Sequence, residues 1–322
     1  MRVTSAFPTG VTALLFEEAA ARRSYEAVAT AELERSGFAE VILPILDYFE
    51  PYSALVSRQA RDELYRFVDR DGELLALRGD FTPMLARVLA PRAESLDTPL
   101  RVFYRGDRVR YQEERVGRLR EYYEIGGELL GVTGPEADAE MLELFLRLLQ
   151  LHTGVELRVV IGFAGALDET LAGRSPADSA EILAAIARRD RRAARAAGDI
   201  LLEVVRDGAP ETREALGERA AARLGELERV CATVGEHFVE GDVSLAIDLA
   251  EFAEETLDPK VSRSAETIPY YDGFIFRAYA AGTALSVGRG GRYDQLFRRL
   301  GADLPAVGFS ISPDRLLRSA GS

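Results

Sequence analysis

Apolar residues recur at helical spacing in three parts of the chain, which predicts helices there. The first is 11–36, where Gly37 follows in a position that commonly ends a helix. Its apolar side is predicted to consist of Leu14, Ala21, Tyr25 and Val28. The other two are 82–89, where Pro83 suits the first turn, and 135–151, which opens with acidic residues that the helix dipole favours.

Short apolar runs bounded by turn residues predict strands. We expect a strand at 41–43, a hairpin at 63–77 and two long strands within 100–130 that are joined by a charged loop at 112–118. Later strands are expected at 244–248, 270–279 and 284–287, followed by a glycine-rich turn, a helix, a strand and a last helix. Strands and helices do not alternate regularly, so the pattern predicts an α+β fold with an antiparallel sheet flanked by helices.

The segment 165–236 has a different character from the rest of the chain. It is rich in alanine, arginine and glutamate, poor in aromatic residues and helical in its periodicity. We therefore predict an inserted helical subdomain at 165–236, with 1–164 and 237–322 forming one core.

Composition and charge narrow the class of protein. The 322 residues include 47% apolar and 29% charged side chains, an ordinary globular balance, and no apolar run approaches the roughly 20 residues that cross a bilayer. The net charge of −13 argues against a protein that binds nucleic acid through its phosphates. A single cysteine, Cys231, and two histidines without ligand spacing predict a cytoplasmic protein with no metal site and no cofactor.

Arginines are concentrated on the two long strands and their loop. Side chains two apart on a strand share a face, so Arg108 and Arg110 can point the same way, as can Arg118 and Arg120. Paired guanidinium groups on a rigid sheet suit a carboxylate or a phosphate. The alternative is a solvated hairpin with ion pairs between its strands.

Two further segments could contribute to a site. Asp80 and Thr82 lie where a strand meets a helix, and they could receive an ammonium group or simply cap the helix. Tyr270 and Tyr271 could line a pocket, although tyrosines on a strand are more often core. The glycines of 288–294 would let the backbone approach a ligand or a neighbouring strand.

In their order along the chain, these segments resemble the core of histidyl-tRNA synthetases, which are class II aminoacyl-tRNA synthetases. Residues 37–44, 109–128 and 306–315 resemble motifs 1, 2 and 3 of that class. Residues 290–294 (Gly-Gly-Arg-Tyr-Asp) and the Tyr270-Tyr271 pair resemble the two histidyl signatures, and 78–82 resembles the corner that binds the substrate ammonium. The resemblance extends over about residues 7–318 and is weakest in 165–236.

The resemblance implies a role for each matching position. Asp80 would hold the ammonium with help from Thr82, Glu128 and Tyr271 would contact the imidazole, and Arg110 would bind the carboxylate and the α-phosphate. The full set of implied histidine-binding positions is Asp80, Thr82, Arg110, Glu124, Glu128, Tyr270 and Tyr271. The implied ATP-site positions, retained as vestiges, are Arg110, Gln112 and Arg315.

Several positions depart from the synthetase pattern. Glu266 stands where synthetases have an arginine that stabilises developing charge, and removal of one such group costs about 10²- to 10³-fold in rate. Gln112 replaces a glutamate, Glu124 a glutamine, and Ser312 a glycine, with Pro313 next to it. No anticodon-binding domain is expected after motif 3. Together these differences predict a chain that does not form an adenylate.

A synthetase core with an intact side-chain pocket and altered chemistry resembles the regulatory subunits of ATP phosphoribosyltransferase. That family implies a non-catalytic chain in a hetero-octamer with a short-form catalytic subunit, at the first step of histidine biosynthesis. It also implies histidine as the feedback effector and a homodimer through motif 1. Two alternatives are an amino-acid ligase that adenylates its substrate and a pure binding module.

Overall fold

The computed structural model describes residues 7–112, 119–151, 156–238, 243–255, 270–281, 283 and 285–319. The predicted loop residues Arg115 and Arg118 and the residue Glu266 lie outside these ranges. The helices are α1 (Phe16–Arg35), α2 (Phe49–Ser53), α3 (Arg58–Asp62), α4 (Thr82–Leu89), α5 (Pro135–Gln150), α6 (Pro176–Ala187), α7 (Arg191–Ala197), α8 (Asp199–Asp207), α9 (Glu218–Gly235), α10 (Asp294–Arg299) and α11 (Pro313–Ser319).

The strands form two sheets. They are β1 (Ala39–Glu40), β2 (Leu46–Tyr48), β3 (Arg66–Val68), β4 (Leu74–Leu77), β5 (Leu100–Val109), β6 (Glu121–Leu130), β7 (Leu157–Phe163), β8 (Val243–Ile247), β9 (Phe274–Ala280), β10 (Ser286–Arg292) and β11 (Ala306–Ile311). The larger sheet has the order β1-β5-β6-β11-β10-β9-β7-β8 and the smaller one the order β2-β4-β3. Short 3₁₀ helices are present at Ala90–Ser95, Arg213–Leu216 and Leu249–Phe252.

The predicted α+β class with an antiparallel sheet and flanking helices is confirmed. Every pairing inside the larger sheet is antiparallel, and only the outermost pairs, β1 with β5 and β7 with β8, are parallel. The two long strands of the predicted hairpin, β5 and β6, pair over their full lengths. They place the candidate residues of both strands on neighbouring strands of the larger sheet.

One predicted strand and one predicted turn are wrong. The run 41–43 is not a strand, because β1 ends at Glu40, although the Val41 amide still donates a 2.8 Å hydrogen bond to the Phe103 carbonyl. The predicted glycine-rich turn is the second half of β10, which lies between β9 and β11. A Cβ on Gly290 would lie 2.3 Å from the ring of Phe276, so the glycines make room for side chains of neighbouring elements.

The buried side of α1 also differs from the prediction. Val28 is 46% exposed, whereas Glu26 is buried and faces β5 and β6. The Glu26 carboxylate pairs with Arg105 at 2.5 Å and accepts a hydrogen bond of 2.5 Å from the Tyr123 hydroxyl. Two polar partners from the sheet therefore set the orientation of the helix, which apolar spacing within 11–36 does not reveal.

The apolar core runs without interruption from the sheet into the helices of 176–235. One cluster contains Phe276 and Val307 of the sheet together with Leu183 of α6, Leu201 of α8 and Leu224 of α9. The helical segment therefore packs directly on the sheet. Among the described helices, none has the length and the unbroken apolar character needed to cross a membrane.

Candidate functional site

Glu128 lies two residues before the end of β6 and is 1% exposed. Its Oε1 accepts hydrogen bonds from the Thr82 hydroxyl at 2.8 Å and from the Tyr104 hydroxyl at 3.2 Å, and its Oε2 accepts one from the Tyr293 hydroxyl. Burial raises the pKa of Glu128 to about 8, against the opposing effect of these hydrogen bonds. Such a carboxyl can donate to a neutral ring nitrogen or, when ionised, accept from an imidazole N–H.

The backbone opposite Glu128 is shaped to receive its side chain. Gly308 of β11 is the direct partner of Glu128 across the sheet. A Cβ on Gly308 would lie 1.4 Å from the Glu128 Oε2, a distance that no real side chain tolerates. The motif 3 strand therefore needs glycine at this position for the carboxyl to fit.

The tyrosine pair closes the space around Glu128. The ring of Tyr270 lies 4.7 Å from that of Tyr271 and 5.9 Å from that of Tyr293. Burial raises the pKa of both Tyr270 and Tyr271. The remaining cavity among these side chains measures about 20 Å³, room for about one water molecule. The structure thus brings the predicted imidazole contacts Glu128 and Tyr271 together around a narrow space.

Asp80 and Thr82 are positioned by the corner between β4 and α4. The Tyr52 hydroxyl accepts hydrogen bonds from the amides of Gly79 and Asp80, at 3.0 and 2.6 Å. Oδ1 of Asp80 accepts from the Thr82 amide at 3.2 Å, but the N-cap residue of α4 is Phe81, which makes no side-chain cap. The Thr82 hydroxyl bonds to Glu128 instead of capping the helix. Oδ2 of Asp80 lies 2.8 Å from Nη2 of Arg110, so an incoming ammonium would share this carboxylate with an arginine.

Arg110 is engaged by the protein itself. Its Nε donates to the Gly79 carbonyl at 2.6 Å and its Nη2 to Asp80, while Nη1 lies 3.9 Å from Glu63. Arg108 lies 2.6 Å from Glu124 on the paired strand and 4.5 Å above the ring of Tyr122. The alternative of ion pairs between the strands is thus confirmed for Arg108 and Glu124, but both are buried and face a cavity, so the hairpin is not a solvated one.

A second cavity of about 200 Å³ adjoins the tyrosine pocket. Its lining consists of Arg108, Arg110, Gln112, Tyr122, Glu124, Ser286, Val287, Gly288, Arg289, Ser310, Ser312 and Arg315. Arg315 donates to the Ser286 carbonyl at 3.0 Å and lies 5.1 Å from the Tyr122 ring centre, and Gln112 accepts from the Tyr122 hydroxyl at 2.8 Å. The structure therefore gathers the predicted ATP-site positions Arg110, Gln112 and Arg315 around one cationic space.

Sequence reasoning missed three contributors to this region. Tyr104 and Tyr293 hold Glu128, and Arg289 lines both cavities. Nη2 of Arg289 lies 3.8 Å from Oδ2 of Asp80. Burial disfavours its charge, but the tyrosines and acids around it raise the pKa of Arg289 above its usual value. The sequence contains one signal for Arg289. If 288–292 is a strand, alternation of side chains places Arg289 and Gly291 on the same face of the sheet.

The described ranges contain no group of three His, Cys, Asp or Glu side chains arranged to hold a metal ion. Of the two histidines, His237 is exposed, and its Nδ1 lies 3.2 Å from Oε2 of Glu143. His152 lies outside the described residues. The polar groups of the site are therefore arginines, carboxyls and hydroxyls, which suit an amino acid or another small polar ligand.

Comparisons with known proteins show the family of this chain. The family profile described as histidyl-tRNA synthetase matches residues 10–316. The chain is 30% identical to an ATP phosphoribosyltransferase regulatory subunit from Geobacter metallireducens, over 98% of this chain and 74% of that protein. It is also 30% identical to a histidine–tRNA ligase from Pyrobaculum aerophilum, over 94% of this chain and 72% of that protein.

A solved structure has the same fold. It is described as an ATP phosphoribosyltransferase regulatory subunit/histidyl-tRNA synthetase from Bacillus halodurans, and it matches with a TM-score of 0.81 at 22% identity, over 100% of this chain and 85% of that one. The chain therefore belongs to the histidyl-tRNA synthetase family, and within it resembles both the regulatory subunits of ATP phosphoribosyltransferase and the histidine–tRNA ligases.

Proposed function

We propose that this chain is a regulatory subunit of ATP phosphoribosyltransferase that does not catalyse by itself. It would act in the cytoplasm with a short-form catalytic subunit, at the first step of histidine biosynthesis. The main support for this proposal comes from the hydrogen bonds of Arg110, the residue that the resemblance implies to bind the α-phosphate. Its guanidinium is already engaged by Gly79 and Asp80, which favours a binding role over nucleotide chemistry.

Histidine is the effector that the pocket supports best. A buried carboxyl with a raised pKa, Glu128, offers the hydrogen bond that an imidazole needs, and an apolar side chain would leave that carboxyl without it. The tyrosine cavity of about 20 Å³ is far too small for an imidazole ring. Entry of histidine would therefore move Tyr270 or Tyr271, and this movement is the event that would bias the assembly between two states.

Reconstitution tests the proposal. The chain is co-expressed with a short-form catalytic subunit of ATP phosphoribosyltransferase, and the ATP- and phosphoribosyl-pyrophosphate-dependent rate is measured with and without histidine. We expect co-purification, a higher rate than the catalytic subunit gives alone, and inhibition by histidine. Absence of a stable complex would reject the proposal, and unchanged histidine inhibition with Glu128→Ala would reject the pocket assignment. The mass of the complex tests the expected hetero-octamer.

An amino-acid ligase is the second candidate, and one observation favours it. Arg289 adds a cation to a cavity that already contains Arg108, Arg110 and Arg315. This cavity therefore contains several cations, although the sequence has Glu266 where synthetases have an arginine. Histidine-dependent exchange of pyrophosphate into ATP separates the candidates, because a ligase gives exchange and a regulatory subunit gives none.

The homodimer is a further part of the proposal. Apolar side chains are exposed in motif 1 and on the smaller sheet: Ile42 at 90%, Tyr48 at 54% and Val68 at 64%. Exposed apolar patches of this kind commonly mark an interface between subunits. A second copy of this chain is the occupant that motif 1 implies.

A further inference from the structure

We propose that Arg289 binds the α-carboxylate of the effector amino acid. This inference rests on the proposed function, since it concerns the same pocket. It differs from the family-implied assignment, in which Arg110 takes that carboxylate. Three observations support the assignment to Arg289. They are the contacts of the other arginines, the position of Arg289 and the charge of the groups that it faces.

The other arginines of the cavity already have partners. Arg110 donates to Gly79 and Asp80, and Arg315 donates to the Ser286 carbonyl. Arg108 is paired with Glu124 at 2.6 Å. Within the described part of the chain, Nε of Arg108 and Nε of Arg315 are buried without a hydrogen-bond partner. None of these three arginines lines the tyrosine pocket, however, whereas Arg289 does.

Arg289 is in a different situation. Among the described residues its one ion-pair partner is Asp80, at 3.8 Å, which is too long for a hydrogen bond. Its side chain is 39% exposed, whereas that of Asp80 is 11% exposed. A guanidinium carries five N–H donors in a planar fork that matches a carboxylate. Arg289 therefore presents donors to the cavity that the described part of the protein leaves available.

The position of Arg289 suits the geometry of an amino acid. Together with Ser310 it lines both the tyrosine pocket and the larger cavity. A ligand with its side chain beside Glu128 would place its backbone groups between Asp80 and Arg289. The ammonium would then meet the Asp80 carboxylate while the α-carboxylate meets Arg289. An amino-acid zwitterion bound between Asp80 and Arg289 would therefore give each of these two side chains an oppositely charged partner.

Calorimetric titration with two ligands tests the assignment. L-Histidine and histamine differ by the α-carboxylate alone, and each is titrated into the wild-type chain, Arg289→Ala, Arg289→Lys and the control Arg206→Ala. Arg206 lies on α8, is 58% exposed and pairs with its neighbour Asp207. We expect Arg289→Ala to weaken histidine binding by about 10- to 100-fold, the range for a hydrogen bond to a charged group, and to leave histamine binding unchanged. Arg289→Lys should restore part of the loss.

The outcomes separate this inference from the proposed function. If the wild-type chain binds histidine and Arg289→Ala weakens both ligands equally, or neither, the carboxylate assignment is overturned while the histidine pocket stands. If the wild-type chain binds neither ligand up to millimolar concentration, the effector proposal itself fails and the assignment fails with it. Equal thermal unfolding of Arg289→Ala and Arg206→Ala would show that a selective loss is not caused by misfolding.

Discussion

The Thr82 hydroxyl donates a 2.8 Å hydrogen bond to Oε1 of Glu128, which joins the start of α4 to the last part of β6. Tyr104 and Tyr293 bond to the same carboxyl. Glu128→Ala would leave three buried hydroxyls without this acceptor, and we expect a loss of about 1–3 kcal/mol in the free energy of unfolding. Urea denaturation measures this loss. Glu128→Gln keeps the shape and an acceptor and should be less destabilised, and equal losses in the two variants would contradict the argument.

The ionisation of Glu128 makes stability depend on pH. Its pKa is raised from 4.5 to about 8 in the folded chain, so the folded state holds a proton that the unfolded state has released between these values. Stability from this group is complete below the unfolded pKa and is lost as pH rises through the folded pKa. We expect the wild type to lose about 2 kcal/mol relative to Glu128→Gln between pH 6 and pH 8. A difference that stays constant over this range would count against a buried, protonated carboxyl.

Gly308→Ala tests the fit between β11 and the Glu128 side chain. The new Cβ would overlap the carboxyl at 1.4 Å, so the strand or the carboxyl must shift, and we expect a loss of about 1–3 kcal/mol. Gly235→Ala at the end of α9 is the control, because a Cβ there meets nothing within 4 Å. It should be neutral or stabilise the chain by up to about 1 kcal/mol. Similar unfolding midpoints for both variants would refute the steric argument.

Ile42→Asp tests the homodimer. Ile42 is 90% exposed in the single chain, so a charge there costs little within one subunit, whereas burial in an interface would penalise it strongly. We expect the wild type to be a dimer by light scattering and Ile42→Asp to be a folded monomer. Ile42→Val keeps an apolar side chain and should remain dimeric. A variant Ile42→Asp that stays fully dimeric would place the interface elsewhere.

Local signals in the sequence were sufficient for several elements. Helix α4 begins and ends as predicted, because Pro83 fixes its first turn and the apolar pattern ends at Leu89. The hairpin of β3 and β4 follows from the turn around Gly72, which has φ of 89°. These features depend on neighbours in the sequence, and a single chain carries that information.

Long-range contacts account for the features that were missed. Glu26 is buried because Arg105 and Tyr123 come to it from the sheet, and no pattern within α1 indicates this. The glycines of 288–292 locally favour a turn, because glycine weakens the interior of a strand. Pairing with β9 and β11 makes this run a strand. The tyrosine pocket is lined in part by Tyr293, which bonds to Glu128 and lies 165 residues from it in the sequence. The resemblance supplied the candidate positions, and the structure adds that Arg110 is internally paired and that Arg289 faces the same space.

The glycines of β10 restrict how this pocket could diversify. A side chain at Gly288 would strike Phe145, one at Gly290 would strike Phe276, and one at Gly291 would lie 2.7 Å from the ring of Tyr271. Arg289 is the member of this run whose side chain opens onto the cavities. Exchange of that residue would alter the charge offered to a ligand without disturbing the aromatic packing behind it. Ligand preference in this scaffold can therefore evolve at one position of the strand while its neighbours stay fixed.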